Sequence, residues 1–368
     1  MRILVTGANG FIAKNLIIRL KEKGITQIDT FLRSDNENRL QELVMQADLI
    51  FHLAGENRPQ DPGEFEKNNV QLTQNLCRFI TESGRRIPVI FTSSAQAVGD
   101  TPYANSKVKA EEVLSSLASS HQNPVTIFRL PGVFGKGCKP NYNSVVATFC
   151  HNIAHDLPIE IHDSNRLVKL VYLDDVLEQM MMAMSYQERA LQYLEIQPQY
   201  DISLGDLAHQ IQSFRESRNT LLTPGVGSGL VRALYATYLS YLSPNQFSYS
   251  LPVSADPRGR FVEMLKTADS GQFSFFTAFP GVTRGGHYHH SKTEKFLVVQ
   301  GEALFTFRNL FTDETCEIRT SGAKPEIVET IPGWVHAITN TGQTELIALL
   351  WANEIFSRER PDTYSSSV

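Results

Sequence analysis

The pattern of apolar residues changes near residue 242, and this change limits the possible folds of the chain more than any other feature of the sequence. Before that point, short apolar runs alternate with stretches of helical periodicity. Repeated strand–helix–strand units of this kind form a parallel sheet with helices on both faces, so residues 1–243 are predicted to be α/β. The predicted strands are Ile3–Thr6, Ile28–Leu32, Leu49–Leu53, Val89–Thr92 and Val125–Leu130, and the clearest predicted helices are Phe11–Glu22, Phe65–Glu82 and Asn105–Ser119.

The second part of the chain has a different texture. Residues 243–259 are rich in Pro and Ser, which is typical of a connection between domains. Beyond them come short segments rich in Phe, Val and Ile, such as FSFFTAF and EKFLVVQGEALFTF, separated by turn residues. These segments have little helical period and predict an antiparallel β-barrel. We therefore expect two domains, 1–243 and 244–368, of α/β and all-β class.

Composition and charge limit the partners that the chain can have. The formal net charge of -5 and the pI near 6.1 argue against a nucleic-acid partner, which needs a clustered basic surface. Nowhere do about 18 consecutive apolar residues occur, so neither a transmembrane helix nor a membrane partner is expected. The four cysteines have no close-paired spacing, which favours a reducing cytoplasm over a disulfide framework.

The segment VTGANGFIA follows the first predicted strand and opens the first helix. Gly7 permits a tight turn there, Gly10 lets the backbone approach a pyrophosphate, and the helix N-terminus favours phosphate charge. Ala13 stands where the usual motif has a third glycine. The context predicts a Rossmann-like doubly wound sheet that binds a dinucleotide. The residues predicted to contact the cofactor in and near this loop are Gly7, Asn9, Gly10, Phe11, Ile12, Leu53 and Ala54.

Arg33 lies at the end of the second predicted strand, where an acidic residue would bind a ribose diol. An arginine suits a 2′-phosphate instead, so the predicted cofactor is NADPH rather than NADH. The alternative left open is that Arg33 is a surface residue and that Asp29 faces the ribose.

Ser94, Tyr103 and Lys107 form a candidate proton-transfer set. Tyr103 and Lys107 are four residues apart and share a helix face, and a nearby ammonium is expected to lower the pKa of the phenol. Tyr103 can then exchange a proton with a carbonyl oxygen while hydride moves at the adjacent carbon, and Ser94 bonds the same oxygen. Lys107 is also assigned to the cofactor. Tyr288 and Lys292 have the same spacing without a glycine loop, so position rather than spacing supports the first pair.

A histidine-rich segment, GVTRGGHYHHSKTEKFLVVQG, carries the candidate metal ligands. His287 and His289 point the same way if they lie on a strand, Glu294 follows a short turn, and His336 comes later in PGWVHAITN. Three imidazoles and one carboxylate suit zinc, iron, manganese or nickel. The joint spacing matches the cupin signature, apart from Pro332, so the predicted C-terminal fold is a cupin β-barrel, a jelly roll.

The motifs TGANGFIA, DLIFHLAG, TSSAQAVG, YANSK, RLPGVFG and VYLDDV make residues 1 to about 240 similar to extended short-chain dehydrogenase/reductases that act on nucleotide sugars. This resemblance implies that Ser94, Tyr103 and Lys107 are catalytic and that Arg129 and Asn141 lie near the substrate. The segment DPRGRFVEMLK resembles the arginine segment of sugar-nucleotide 3,5-epimerase cupins, which implies that Arg258 binds substrate. For Asn141 a polar surface loop, and for Arg258 a β-turn, remain open.

As a whole, the chain resembles the bifunctional capsular-polysaccharide enzymes of the CapF type. The resemblance implies a role in making UDP-N-acetyl-L-fucosamine. The cupin would epimerise C3 of a UDP-2-acetamido-2,6-dideoxy-4-hexulose, with zinc as its metal. The reductase domain would then reduce C4 with NADPH to UDP-2-acetamido-2,6-dideoxy-L-talose. Both parent folds usually self-associate, so a homo-oligomer, a dimer or tetramer, is expected.

Two other functional classes stay open at this point. The first domain could be an epimerase or a dehydratase and the cupin a different isomerase. A dehydratase, however, normally has a carboxylate after the catalytic serine, where this chain has Ala95 and Gln96. Alternatively, the cupin could be a non-catalytic sensing or dimerisation module. The base at C3 is also open, because no spacing selects among Tyr288, His290 and Lys295.

Overall fold

The computed structural model describes residues 1–186, 190–359 and 361–368. The chain forms two compact units. The first contains Met1–Ile211 and Arg232–Leu242, and the second contains Gln212–Val231 and Ser243–Val368. Residues 212–231 therefore belong with the second unit, and the domain division at residue 243 stays a prediction.

The first unit is built on a parallel sheet. Its strands are β1 (Ile3–Thr6), β2 (Ile28–Phe31), β3 (Leu49–His52), β4 (Val89–Ser94), β5 (Val125–Leu130), β6 (Gly132–Phe134), β7 (Leu167–Tyr172), β8 (Leu191–Leu194) and β9 (Tyr200–Ser203). Six of them pair in parallel in the order β2-β1-β3-β4-β5-β8, and β6, β7 and β9 form a small second sheet. β1, β3 and β4 are buried along their whole length, as expected for strands covered on both faces.

Helices cover both faces of this sheet. The helices of the chain are α1 (Phe11–Glu22), α2 (Glu37–Gln46), α3 (Gly63–Phe65), a π-helix (Glu66–Gln71), α4 (Leu72–Glu82), α5 (Pro102–His121), α6 (Val145–Ala154), α7 (Leu173–Met182), α8 (Leu204–Thr220) and α9 (Gly229–Leu239), with 3₁₀ turns at Ala183–Ser185 and Pro244–Gln246. One core layer holds Leu40 of α2, Leu76 of α4 and Leu114 of α5, and the other holds Leu16 of α1 and Val176 of α7. The predicted doubly wound fold is confirmed. Within the described ranges, no helix is long and apolar enough to cross a membrane.

The second unit consists mainly of antiparallel strands. They are β10 (Ser254–Asp256), β11 (Gly259–Thr267), β12 (Gly271–Ala278), β13 (Thr283–Tyr288), β14 (Glu294–Gln300), β15 (Glu302–Asn309), β16 (Thr315–Ser321), β17 (Ile327–Thr330), β18 (Trp334–Asn340), β19 (Leu346–Ala352) and β20 (Tyr364–Ser365). They form two sheets, in the orders β10-β11-β12-β19-β14-β17 and β16-β15-β18-β13-β20. Phe276 and Phe296 of the first sheet share a core with Phe305 and Ile338 of the second. The all-β class predicted for this part of the chain is confirmed.

Candidate functional site

The glycine loop joins β1 to α1 and lies against the end of β3. Gly7 has φ +67°, and a Cβ atom there would lie 2.6 Å from the Cα atom of Ala54, so the position accepts only glycine without strain. The Gly10 amide donates to the Gly7 carbonyl oxygen over 2.8 Å, and Gly10 caps α1. Ala13 is buried beneath the turn. The structure therefore brings the predicted loop residues together with Leu53 and Ala54, whose cofactor role stays a prediction.

Arg33 lies just beyond β2 with its side chain 65% exposed. It forms ion pairs of 3.0 Å with Glu56 and with Glu64. Asp29, the alternative ribose partner, is instead bonded to Arg2, with 2.5 Å between Oδ2 and Nε. Both side chains are therefore engaged in ion pairs, and the choice of Arg33 over Asp29 as the residue that faces a cofactor ribose stays a prediction.

Ser94 and Tyr103 come together at the carboxyl end of β4. The Thr101 hydroxyl caps α5 by accepting from the Ala104 amide over 3.1 Å, so the helix starts at Pro102, earlier than the sequence pattern predicts. Tyr103 thus lies in the first turn of α5, near enough to Ser94 for that side chain to act on the pKa of its hydroxyl.

Lys107 lies one turn further along α5 and is buried. Its ammonium donates to the Thr92 carbonyl oxygen over 3.1 Å, and burial lowers its pKa to about 8. Burial also raises the pKa of Tyr103, against the smaller, opposing effect of the Ser94 side chain. The expected lowering of the Tyr103 pKa by a neighbouring ammonium is therefore not found. Loss of hydration of the phenolate is the largest effect, and the Lys107 ammonium is engaged by the main chain of β4.

Asn69 is a residue of this site that the sequence analysis missed. It lies buried on the π-helix, a distortion often found at functional sites. Its side chain accepts from the Glu56 amide over 2.7 Å and donates to the Ser106 hydroxyl over 2.9 Å. Asn69 therefore ties the loop after β3 to α5. A single asparagine within a helical stretch has no periodicity or spacing that could have indicated this role.

A buried histidine, His52, connects β1 to α4 next to the loop that follows β3. His52 Nδ1 lies 2.8 Å from the Thr6 hydroxyl, and Nε2 lies 2.9 Å from the Thr73 hydroxyl. Burial lowers the pKa of His52 to about 3, so the ring is neutral at physiological pH. The Thr6 hydroxyl also accepts from the Ala54 amide over 3.2 Å, which links β1, the loop after β3 and α4.

The two predicted substrate residues of the first unit lie in different surroundings. Arg129 of β5 makes two bonds to the buried Glu111, Nε to Oε1 at 3.1 Å and Nη2 to Oε2 at 2.6 Å. Glu111 also accepts from the Ser93 hydroxyl. Asn141 is exposed in a loop with φ +52°, and its amide donates to the Thr148 hydroxyl. A substrate role for Arg129 or Asn141 therefore rests on the family resemblance.

The four predicted metal ligands converge in the second unit. One candidate ligand atom from each of the four residues lies within 4.8 Å of the others. His287 lies near the end of β13 opposite His336 of β18, His289 follows β13, and Glu294 begins β14. Glu294 Oε2 lies 3.2 Å from His289 Nε2 and 3.3 Å from His336 Nε2.

The chemistry of this cluster fits a divalent metal ion. Both ring nitrogens of His336 are buried and form no hydrogen bond in the described part of the chain, the 3.3 Å contact of Nε2 with Glu294 being an ion-pair contact only, and such burial is costly unless a ligand satisfies them. Burial lowers the pKa of His287 to about 4, so that ring is neutral. Burial acts to raise the pKa of Glu294, but the His289 and His336 rings beside its carboxylate hold that pKa below its usual value. Neutral imidazole and ionised carboxylate are the forms that bind metal.

A β-bulge in β13 decides which side chains share the face of the cluster. Arg284 pairs with Ile338, and His287 pairs with His336, so four residues of β13 (284–287) lie opposite three residues of β18 (336–338). The extra residue comes from Gly285 and Gly286, both with positive φ. Arg284 therefore faces the same side as His287, with its guanidinium 5.4 Å from the Phe276 ring. Strict alternation would place Arg284 on the other face, so the sequence analysis missed it.

The candidate bases for C3, Tyr288, His290 and Lys295, contact other residues than the metal ligands do. Lys295 neighbours Glu294 on β14, so it points to the opposite face, where it pairs with Glu329. The rings of Tyr288 and His290 contact that of Tyr364 at 5.4 and 4.9 Å. The three imidazole ligands contact one another instead, at 4.6 to 5.2 Å. The positions of these candidate bases thus separate them from the metal cluster.

Arg258 lies in the turn between β10 and β11. Its Nε atom donates to Asp256 Oδ2 over 3.0 Å, and Asp256 also lies 3.9 Å from the Arg284 guanidinium. Arg258 is therefore linked to Arg284 through one shared carboxylate. Its predicted role in binding substrate stays a prediction.

Comparisons with known proteins match both units. Residues 3–196 match the NAD dependent epimerase/dehydratase family, and residues 254–364 match the polysaccharide biosynthesis C-terminal domain. The chain is 56% identical to the UDP-2-acetamido-2,6-beta-L-arabino-hexul-4-ose reductase of Pseudomonas aeruginosa, over 100% of this chain and 99% of that protein.

Solved structures extend the likeness to the whole fold. The crystal structure of the capsular polysaccharide assembling protein CapF from Staphylococcus aureus superposes with a TM-score of 0.92 at 38% identity, covering 100% of both chains. A structure of MoeE5 with UDP-glucose and NAD matches 65% of this chain and 98% of its own, with a TM-score of 0.56. At 20% identity, that second likeness shows the fold alone. The chain therefore belongs to the CapF family of two-domain proteins, in which an NAD dependent epimerase/dehydratase domain precedes a polysaccharide biosynthesis C-terminal domain.

Proposed function

We propose that this protein epimerises C3 of a UDP-2-acetamido-2,6-dideoxy-4-hexulose in its second unit and reduces C4 with NADPH in its first. The product is UDP-2-acetamido-2,6-dideoxy-L-talose, an intermediate on the way to UDP-N-acetyl-L-fucosamine for capsule or surface polysaccharide. The observation that carries the reductase half is the proximity of Ser94, at the end of β4, to Tyr103, in the first turn of α5. It occurs in a chain 56% identical to a reductase of a UDP-linked hexulose.

Tyr103 is the general acid of the proposed reduction. Because burial raises its pKa, the hydroxyl is protonated and can donate to the C4 oxygen as negative charge develops there. Ser94 donates a second hydrogen bond to the same oxygen. NADPH, when bound at the glycine loop, supplies the hydride that adds to C4. Lys107 contributes positive charge beneath β4.

The proposed epimerisation depends on the same ketone. A carbonyl at C4 acidifies the C3 proton, so the proton can be removed and returned from the other face. A divalent metal held by His287, His289, Glu294 and His336 supplies Lewis acidity toward a substrate oxygen, and the family resemblance favours zinc. Since reduction removes the ketone, epimerisation must come first. The expected homo-oligomer stays part of this proposal.

Deuterium exchange at C3 tests whether epimerisation occurs in the second unit, separately from the reduction. The full-length protein is incubated with the 4-keto sugar nucleotide in heavy water, without NADPH, and the sugar protons are followed by NMR. We expect deuterium at C3 with the metal-loaded protein and none after chelation. Absence of exchange with zinc, iron, manganese and nickel in turn would refute the epimerase assignment. Reduction of the unepimerised ketone by the same protein would then favour a non-catalytic cupin.

Arg33→Ala is expected to change the choice of cofactor. A charge-assisted bond between Arg33 and a 2′-phosphate contributes about 1.5–3 kcal/mol. The variant should therefore lose roughly 10- to 100-fold in kcat/KM with NADPH and keep its value with NADH. Steady-state kinetics with both cofactors measures this, and Arg39→Ala, which removes an exposed arginine of α2, is the control. An equal loss with NADPH and NADH would contradict the assignment.

A further inference from the structure

Residues 361–366 pack along the strand and loop that carry two of the candidate metal ligands. In β20, Ser365 pairs with His287, and Tyr364 pairs with Tyr288. The Ser366 amide then donates to the Gly286 carbonyl oxygen over 3.0 Å. This segment therefore forms the edge of the sheet beside the cluster.

The carboxylate of Asp362 holds the loop that follows His289. It accepts from the amides of His290 over 3.0 Å, Ser291 over 2.9 Å and Lys292 over 2.8 Å. The Ser291 hydroxyl adds a fourth bond of 3.1 Å. Asp362 itself has φ +36°, a backbone conformation that a non-glycine residue adopts only when its surroundings impose it.

Lys292, in the loop after His289, bonds to the two residues that flank Asp362. It is 5% exposed, and its ammonium donates to the Pro361 carbonyl oxygen over 3.1 Å and to the Thr363 hydroxyl over 2.8 Å. A buried ammonium with such partners is costly to separate from them. The loop and the segment therefore hold each other through bonds on both sides of Asp362.

The main chain of Asp362 reaches one of the ligands directly. His289 Nδ1 lies 2.5 Å from the Asp362 carbonyl oxygen, which can only accept, so Nδ1 carries the proton. Nε2 then has the free electron pair, and this nitrogen lies 3.2 Å from Glu294 Oε2, within the cluster. Partners of this kind set the tautomer and orientation of metal-binding histidines.

We propose that Asp362 is a positioning residue of the metal site. Its carboxylate anchors the loop after His289, and its carbonyl oxygen turns Nε2 of His289 into the site. The inference rests on the proposed metal site and extends it, because it assigns the segment after residue 360 a role in metal affinity. Asp362 acts through His289 and does not itself contact the metal.

The test measures zinc affinity in the full-length protein by competition with a chromophoric chelator. We expect Asp362→Ala to bind zinc roughly 10- to 100-fold more weakly than the wild type. Asp362→Asn keeps one oxygen acceptor and should show a smaller loss. Asp269→Asn, in the exposed turn between β11 and β12, should bind zinc like the wild type.

Nitrogen-15 spectra of the metal-free protein separate positioning from folding. In the wild type, His289 should show the tautomer protonated at Nδ1, and in Asp362→Ala a mixture of tautomers. If Asp362→Ala binds zinc with wild-type affinity, or keeps the single tautomer of His289, the inference is overturned. Failure of the wild type itself to bind zinc would refute the metal site, which is a different result.

Discussion

Tyr103→Phe is expected to slow reduction of the C4 ketone by roughly 10²- to 10⁴-fold, the range that one proton-transferring group contributes. The substitution removes only the hydroxyl that donates to the C4 oxygen. The ring, which lies 5.9 Å from that of Phe65, remains, so the fold should be unaffected. NADPH oxidation followed by absorbance, with the 4-keto sugar nucleotide as substrate, measures the change.

The same variant separates the two proposed reactions. Tyr103→Phe should incorporate deuterium at C3 at the wild-type rate, because the cluster of the second unit is untouched. Tyr249→Phe, a control at an exposed tyrosine, should leave both rates unchanged. If deuterium exchange disappeared together with reduction in Tyr103→Phe, the assignment of two separate sites would be wrong.

His336→Ala is expected to abolish C3 exchange, leaving it at the level of the chelated protein. Its two buried ring nitrogens have no hydrogen-bond partner among the described residues, so a metal ligand role would satisfy one of them. At a free metal concentration of about 1,000 times Kd, binding stabilises a folded protein by about 4 kcal/mol. That increment should disappear in the variant. Thermal unfolding with and without zinc measures it.

His290→Ala is the matched control for that experiment. His290 follows a ligand in sequence, but its exposed ring contacts Tyr288 and Tyr364. The variant should keep the metal-dependent stabilisation and the C3 exchange. Loss of exchange with retained metal binding would instead identify His290 as the C3 base. Equal stabilisation of His336→Ala and the wild type by zinc would contradict the proposed ligand set.

The sequence predicts the first unit well where burial and local pattern agree. β1 and β5 occupy the predicted residues because both are apolar runs within a sheet covered on two faces. α5 begins earlier than predicted, although Thr101 and Pro102 are a recognisable capping pair. Periodicity alone locates the interior of a helix and says little about its first turn.

Whether a site residue can be predicted from the sequence depends on how far apart in the sequence its contacts lie. His287, His289 and Glu294 lie within eight positions, so their spacing carries information that one sequence can show. Asp362 bonds to the amide of a residue 72 positions away, and nothing local in the sequence indicates that contact. The direction of the Tyr103 pKa was also out of reach, because it depends on burial, which residue spacing does not report.

The glycine pair in β13 also affects how relatives of this chain are to be compared. Gly285 and Gly286 together add one residue to the strand. Arg284 and His287 face the same side only because of this extra residue. If a relative is aligned to this strand with a one-residue gap, the residues beyond the gap shift by one position. Side chains that face inward in one protein are then matched with side chains that face outward in the other. Length in this strand is therefore as informative about the metal cluster as the identity of its histidines.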